Sequence, residues 1–215
     1  EIYTLSLHDA LPISIHTVED VLNSPLVVDP LHLLEVVMPC GGGAAVIVAS
    51  PDRARDSRHT PVTLLGAGEH VTHRALSQAP SLTTSPLSTA IASAYSMADV
   101  SPGDIGLLSI YDCYSIVVAI TVEDGGFCPK GESGPWLAQH DFSHRGRLPI
   151  NTHGGQLACG QSDLAGGMGH IVEAVRQLRG EAGNRQVADL DLALVTGNGA
   201  TMSEEVALVL GRGAP

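Results

Sequence analysis

A phenol, a carboxylate and a thiol come together at Tyr111-Asp112-Cys113-Tyr114, directly after the apolar run at residues 105–110. Such a trio at the end of a buried strand stands where α/β folds place their chemistry. Taken singly, Asp112 reads equally well as a helix cap and Cys113 as a core thiol. A second candidate is Asn151-Thr152-His153-Gly154-Gly155. Its paired glycines let backbone approach a ligand, and His153 offers proton transfer. A turn carrying a surface histidine accounts for the same residues. The third is Gly160-Gln161-Ser162-Asp163, leading into a helix N-terminus that can receive an anion or a carbonyl oxygen. A plain capping turn is the commoner use of that pattern. Cys40-Gly41-Gly42-Gly43 sets a thiol among glycines, and a tight turn before a strand explains it with fewer assumptions. His140 and His144 have helical spacing, but they precede Arg145-Gly146-Arg147 in a loop-like stretch and read as solvated histidines. The four cysteines, Cys40, Cys113, Cys128 and Cys159, show no CxxC spacing. We therefore expect neither a metal site nor a disulfide framework, and a reducing, cytoplasmic compartment.

These residues need elements to hold them. Residues 44–49 form a short apolar run after the glycines and predict a buried strand, while residues 52–60 are charged and read as a linker. Residues 62–65 begin a second strand. Ser85-Pro86 supplies an N-cap and a first-turn proline for a helix whose apolar face is Leu87, Ala90, Ile91, Ala94, Tyr95 and Ala98. A third strand is predicted over 105–110 and a helix over 116–122. Residues 125–160 are long, irregular and rich in Gly and Pro, as functional loops are. Ser162-Asp163 is the expected cap of the next helix, with Leu164, Met168, Ile171, Val172, Val175 and Leu178 as its stripe and Gly180 as its stop. Two more strands, 192–195 and 206–210, flank Gly197-Asn198-Gly199. Helices alternating with near-continuous apolar strands predict a layered α/β fold around a buried sheet.

Composition removes several classes of function. Of 215 residues, 11 are Lys or Arg and 23 Asp or Glu, for a net charge of −12. An acidic chain is a poor match for nucleic-acid phosphates, and 3% aromatic residues offer little for stacking on bases. The longest uncharged stretch is broken by Pro80 and Pro86, so no membrane span is expected. Residues 1–14 fit none of this. They lack the charged and apolar regions of a signal peptide and resemble a translated sequencing-adaptor read-through. They are expected to be non-native, with the natural chain running on upstream of Ile15.

Read in order, three segments resemble the sterol carrier protein type of thiolase. The run from Gln177 to Val187 is similar to the end of that family's domain. The preceding loop of the form N-x-x-G-G-x-x-x-x-G-H-P here reads Asn151-Thr-His-Gly-Gly-Gln-Leu-Ala-Cys-Gly-Gln-Ser162. The family's H-D-C-F here reads Tyr111-Asp112-Cys113-Tyr114. The resemblance implies a layered αβαβα fold of two βαβαββ halves. Residues 15–60 would then be the end of the first half and its linker, and 61–215 the C-terminal domain. It further implies acyl-CoA substrates, no cofactor apart from coenzyme A within the substrate, and a homodimer.

The departures from the family pattern bear on chemistry. The histidine of G-H-P is replaced by Gln161, and the family's C-x-G-G-G by Thr196-Gly-Asn-Gly-Ala200. An amide takes no proton at neutral pH, and neither Thr nor Gly replaces a thiol. Thiolase relatives of bacterial steroid catabolism resemble this pattern. They cleave β-hydroxyacyl-CoA by retro-aldol chemistry, with tyrosines as acid/base groups and an OB-fold partner carrying a zinc ribbon. On that resemblance Tyr111, His153 and Cys113 are the candidate catalytic residues. Asp112, Asn151, Gly154, Gly155, Gly160 and Gln161 are the candidate substrate-binding ones. Three functions follow: a thiolase-type acyltransferase, the aldolase variant, or a non-catalytic acyl-CoA or lipid-binding scaffold. The chain by itself is expected to be inactive, since the family's acylated cysteine lies in the first half.

Overall fold

A computed structural model describes residues 16–200 and 202–213, the side chain of Leu164 excepted; the adaptor-like residues 1–14 lie outside them. In chain order the elements are α1 (Val18–Leu22), β1 (Leu26–Val28), β2 (Leu31–His32), α2 (Pro51–Arg55), β3 (Val62–Val71), α3 (Leu87–Ala98), β4 (Leu107–Ser109), α4 (Ser115–Asp124), α5 (Ser133–Gln139), α6 (Gly155–Cys159), α7 (Gly166–Arg179), β5 (Leu192–Gly199) and β6 (Glu204–Arg212). Four strands make one mixed sheet in the order β3-β6-β5-β4. Only β4 and β5 run parallel; the other pairs are antiparallel. The sequence β3-α3-β4-α7-β5-β6 is the βαβαββ half that the family resemblance implies, with α4, α5 and α6 carried between β4 and α7.

Helices cover both faces of this sheet because its strands are apolar on both sides. On one face, α3 and α4 enclose Leu87, Ile91, Leu108, Ile110, Val122, Leu194 and Val209. On the other, α7 lies over Leu107, Ala193, Val195 and Leu210 through Ala174 and Leu178. Helix α3 sits unusually close to β3. A Cβ on Gly66 would lie 2.1 Å from the Ala94 carbonyl oxygen, and one on Gly68 would lie 2.0 Å from that of Ala90. Small residues on both sides of the contact permit it.

The third strand, the α3 stripe and the last two strands stand where the sequence puts them. β5 and β6 are longer than expected and pair antiparallel as far as Gly199 with Glu204. Several expectations need correction. Residues 44–49 form no strand and lie exposed, Ile47 at 94% and Val48 at 91%. A strand needs a neighbour for its N–H and C=O groups, and within the described chain this run has none. Cys40 accordingly precedes no strand; it lies in an extended segment where its N–H donates to the Gln161 carbonyl at 2.9 Å. The cap position of α3 falls on Pro86, one residue later than the expected Ser85, and the Leu87 N–H donates to Ser85 Oγ at 3.2 Å.

Helix α7 differs most. A 3-10 turn, Asp163–Ala165, intervenes before Gly166, and Ser162 makes no side-chain cap bond. Leu178 of the expected stripe is buried, but Met168, Ile171, Val172 and Val175 are only partly so. The buried face is instead His170, Glu173, Ala174, Gln177 and Leu178. That polar face organises the site. Residues 125–160 are irregular apart from α5 and α6, and at 149–151 they run beside β4, with Leu108 bridged to Ile150.

Candidate active site

All three chemistry-bearing segments of the sequence meet at the C-terminal end of β4. The Asn151 side chain joins two of them. Its Oδ1 accepts the Ile110 N–H at 2.7 Å, and its Nδ2 donates to the Ile110 carbonyl at 2.9 Å. The amide thus extends the strand ladder by one residue past β4 and pins the glycine loop to the strand end. Asn151 sits at φ 47°, a left-handed conformation that asparagine tolerates better than most residues.

Tyr111 is the next residue outward. Its N–H donates to Thr196 Oγ1 on β5 at 3.0 Å, so the position that replaces the family's cysteine motif holds the tyrosine backbone. Its phenol oxygen accepts from Gln161 Nε2 at 3.0 Å. Half-burial pushes the phenol pKa above its ordinary value, and the neighbouring Cys113 and Asp112 push the same way. Tyr111 is therefore a protonated phenol at neutral pH, able to donate. Gln161 is itself held by a short ladder to residues 38–40: its N–H donates to the Met38 carbonyl at 2.9 Å.

Asp112 turns inward and is 3% exposed. One of its oxygens accepts the Gln156 N–H at 2.7 Å, at the N-terminus of α6. The same oxygen lies 3.4 Å from His170 Nε2. Asp112 does cap a helix, then, but one 44 residues away in sequence. Gly155 makes room for it: a Cβ there would stand 1.9 Å from Asp112 Oδ2, and its φ is +66°.

His170 is fully buried and was not among the residues that the sequence singled out. Its Nδ1 faces Ser109 Oγ at 3.3 Å, and its Nε2 faces Gln156 Nε2 at 3.2 Å. Its ring stacks edge-on against His153, centroids 5.2 Å apart, and lies 6.1 Å from Tyr111. One turn on, Glu173 accepts from Thr152 Oγ1 at 2.6 Å, Gln177 Nε2 at 3.0 Å and Arg185 Nη2 at 2.8 Å. Burial opposes the ionised form of Glu173, but the hydrogen bonds from Arg185, Thr152 and Gln177 outweigh it and hold its pKa below the ordinary value. Gln177 also accepts the Val187 N–H at 2.8 Å. One face of α7 thus clamps both the 151–156 loop and the 185–187 segment. His170, Glu173 and Gln177 recur at helical spacing, which is the signal the sequence offered; apolar residues at neighbouring positions masked it.

His153 is half-buried. Burial, with His170 adding, lowers its pKa to about 4, so it is a neutral imidazole at physiological pH, and its Nδ1 lacks a hydrogen-bond partner. Cys113 and Cys159 are both pushed up by burial, Cys113 to about 11. Neither is a ready thiolate nucleophile. Gly160, at φ +82°, brings Cys40 against the loop, where a Cβ would meet Cys40 Sγ at 2.8 Å. Gly154 lies at the exposed start of α6, at φ +98°. His140 is exposed and His144 half-exposed, as expected. All four cysteines are free. Among the described residues, no group of three or more His, Cys, Asp or Glu could hold a metal, and no helix is long and apolar enough to cross a membrane.

The model of the thiolase C-terminal domain-like family matches residues 68–212, and the chain belongs to that family. Among curated proteins it is 38% identical over 186 residues to an acetyl-CoA acetyltransferase of Methanothermobacter thermautotrophicus, covering 86% of this chain and 49% of the relative. It is also 38% identical over 185 residues to a steroid side-chain-cleaving aldolase of Thermomonospora curvata, covering 84% of this chain and 46% of that protein. Among solved structures, the Ltp2-ChsH2(DUF35) aldolase superposes with a TM-score of 0.77 at 32% identity, over 92% of this chain and 51% of the other. The chain spans about half the length of these relatives.

Proposed function

We propose that this chain is the C-terminal part of a thiolase-like acyl-CoA enzyme that makes or breaks a carbon–carbon bond beside a CoA thioester. The observation that carries the reading is the Tyr111 phenol, bonded to Gln161 Nε2, at the strand end where β4, the 151–156 loop and α6 converge. In this reading residues 15–60 close an N-terminal half and 61–215 form the C-terminal domain. The acyl-CoA lies across the strand end, coenzyme A being part of the substrate, and the enzyme works as a cytoplasmic homodimer.

The same pair favours one variant of the chemistry. Gln161 cannot take a proton, and the thiols of Cys113 and Cys159 are held in their protonated form, so thiol-based thiolysis is poorly served by these residues. Retro-aldol cleavage of a β-hydroxyacyl-CoA needs only proton movements. A base takes the hydroxyl proton, the C–C bond breaks with its electron pair passing into the thioester enolate, and an acid protonates the enolate carbon. The neutral imidazole of His153 suits the first role and the Tyr111 phenol the second. Asp112, Asn151, Gly154, Gly155 and Gly160 serve by fixing the loops that carry them. The two-protein aldolase among the structural relatives supports a partner protein for this variant.

The test uses the complete polypeptide containing this chain, assayed for acyl-CoA cleavage with and without candidate partner. Tyr111→Phe is expected to lower turnover about 100-fold or more, the usual scale of acid–base catalysis, with ester binding retained. Unchanged turnover would remove Tyr111 from the mechanism. Acyl release that depends on the partner favours the aldolase, release without it favours the acyltransferase, and binding without turnover leaves a scaffold.

A further inference from the structure

Away from Tyr111, the opposite face of the sheet holds a buried carboxyl that the proposed reaction does not use. Glu205, the second residue of β6, is 2% exposed. Its Oε2 lies 2.9 Å from Ser85 Oγ, and the same hydroxyl lies 2.8 Å from Asp124 Oδ2. A serine hydroxyl has one hydrogen. It cannot be donated to two carboxylates at once, so one carboxyl of the pair must carry a proton and donate it to Ser85.

The surroundings decide which. Asp124 also accepts the Ser85 N–H at 2.9 Å, and Lys130 Nζ bonds its other oxygen, so Asp124 is the ionised member. Among the described residues no Lys or Arg pairs with Glu205. Its cross-strand neighbours are His70 on β3 and Asn198 on β5, and Asp124 faces it from α4. The Cys113 thiol, beyond β4, is the other titratable group that an ionised Glu205 would influence. Burial raises the Glu205 pKa to about 7; the Ser85 hydroxyl and the Leu87 N–H oppose this, and the Asp124 charge adds to it. Count and environment agree on a carboxylic acid in the chain interior.

Its second oxygen, Oε1, has no hydrogen-bond partner, and neither has the amide nitrogen Nδ2 of Asn198. The two residues are direct partners in the antiparallel ladder, so their side chains rise from the same face, about 5 Å apart at Cβ. One is an acceptor and the other a donor. A hydroxyl group is the small species that satisfies both, since it accepts from the amide while donating to the carbonyl oxygen. A buried donor or acceptor left without a bond is unfavourable, which favours an occupant.

We propose that un-ionised Glu205 and Asn198 form a receptor for one hydroxyl group, from a ligand alcohol or from water, at the end of the sheet that carries the strand-end site. The geometry also lets Glu205 change state without losing its partner. If its proton leaves to an acceptor on the ligand, the Ser85 hydroxyl swings from Asp124 Oδ2 to Glu205 Oε2. Asp124 then keeps the Ser85 N–H and Lys130. A ligand alcohol as the occupant rests on the acyl-CoA reading; the un-ionised acid and the receptor do not.

Infrared difference spectroscopy of the complete polypeptide containing this chain tests this on a single band, the carbonyl stretch of a protonated carboxyl. At pH 6 the band is expected in the wild type and absent from Glu205→Gln. Asp124→Asn, which removes the neighbouring charge, should move loss of the band to lower pH by about one unit, a tenfold change in proton affinity. A hydroxyl donating to Oε1 lowers the band frequency. A band that falls on adding 3-hydroxybutanoyl-CoA but not butanoyl-CoA identifies a ligand alcohol. A band already low before either ester is added, and unmoved by them, identifies water. No band lost in Glu205→Gln, a high band that neither ester moves, or equal shifts from both esters would overturn the proposal. Retention of the esters on ultrafiltration is scored separately. Failure of both to bind counts against the acyl-CoA reading, while the unliganded band still decides the receptor.

Discussion

Gly155→Ala should be among the most damaging single-methyl changes in this protein. The added Cβ would stand 1.9 Å from Asp112 Oδ2 and 2.5 Å from its Cγ. No rotamer change at alanine relieves this, because the Cβ is fixed by the backbone, and a left-handed φ of +66° costs a non-glycine residue about 1–2 kcal/mol on its own. The carboxylate must then leave its seat. That forfeits a charge-assisted bond from the Gln156 N–H, worth about 1.5–3 kcal/mol. Together the loss comes to roughly 2.5–5 kcal/mol. It should appear in urea unfolding as a lower midpoint with unchanged slope. Protection of the Gln156 amide against hydrogen exchange should fall with it. Gly134→Ala is the control. It sits in α5 with nothing within 4 Å of the new methyl, and should be neutral or stabilising by up to about 1 kcal/mol. A Gly155→Ala loss under 1 kcal/mol would mean that the Asp112 seat does not hold the loop, and the account of how α6 is anchored would fall with it.

Gly68→Ala should destabilise by about 3 kcal/mol or more, seen as a lowered Tm, because the methyl meets the Ala90 carbonyl at 2.0 Å in a backbone-to-backbone contact that cannot shift alone. Glu173→Gln should cost about 2 kcal/mol at pH 7, since it leaves the Arg185 charge without its partner on a half-open surface. The folded pKa of Glu173 is depressed, so its contribution is present above the ordinary value of 4.5 and lost as pH falls below it. The variant's stability should therefore fall less steeply than the wild type's under pH 4.5. His153 adds an earlier acid-sensitive step. Its folded pKa of about 4 lies under the ordinary 6.5, so protonation disfavours the fold progressively from pH 6.5 to 4. His153→Leu should flatten the stability curve across that window, and a parallel curve would contradict the half-buried neutral imidazole.

Much of the fold is legible in the one-dimensional pattern. The period of Leu87, Ala90, Ile91, Ala94 and Tyr95 fixes both the existence of α3 and the face it buries. The apolar runs ahead of Tyr111 and after Leu192 can only be interior strands in a chain of this composition. Paired glycines at 154 and 155 mark a place where another group comes close, and that group is Asp112. These features are local: each depends on residues within one or two turns of one another.

What tertiary structure alone decides is non-local. The run at residues 44–49 has the composition of a strand, but a strand exists only through its neighbour, and the described chain offers it none. His170, Glu173 and Gln177 read as ordinary polar positions of a helix until the 151–156 loop and Arg185 fold against them. The proton assigned to Glu205 is invisible in sequence, because the need for it arises when two carboxyls 81 positions apart reach one serine hydroxyl whose single hydrogen cannot serve both. Residue type and spacing determine which elements form and which side chains can do chemistry. Which of those side chains are buried, paired and protonated depends on contacts between distant segments, and only the packed chain brings them together.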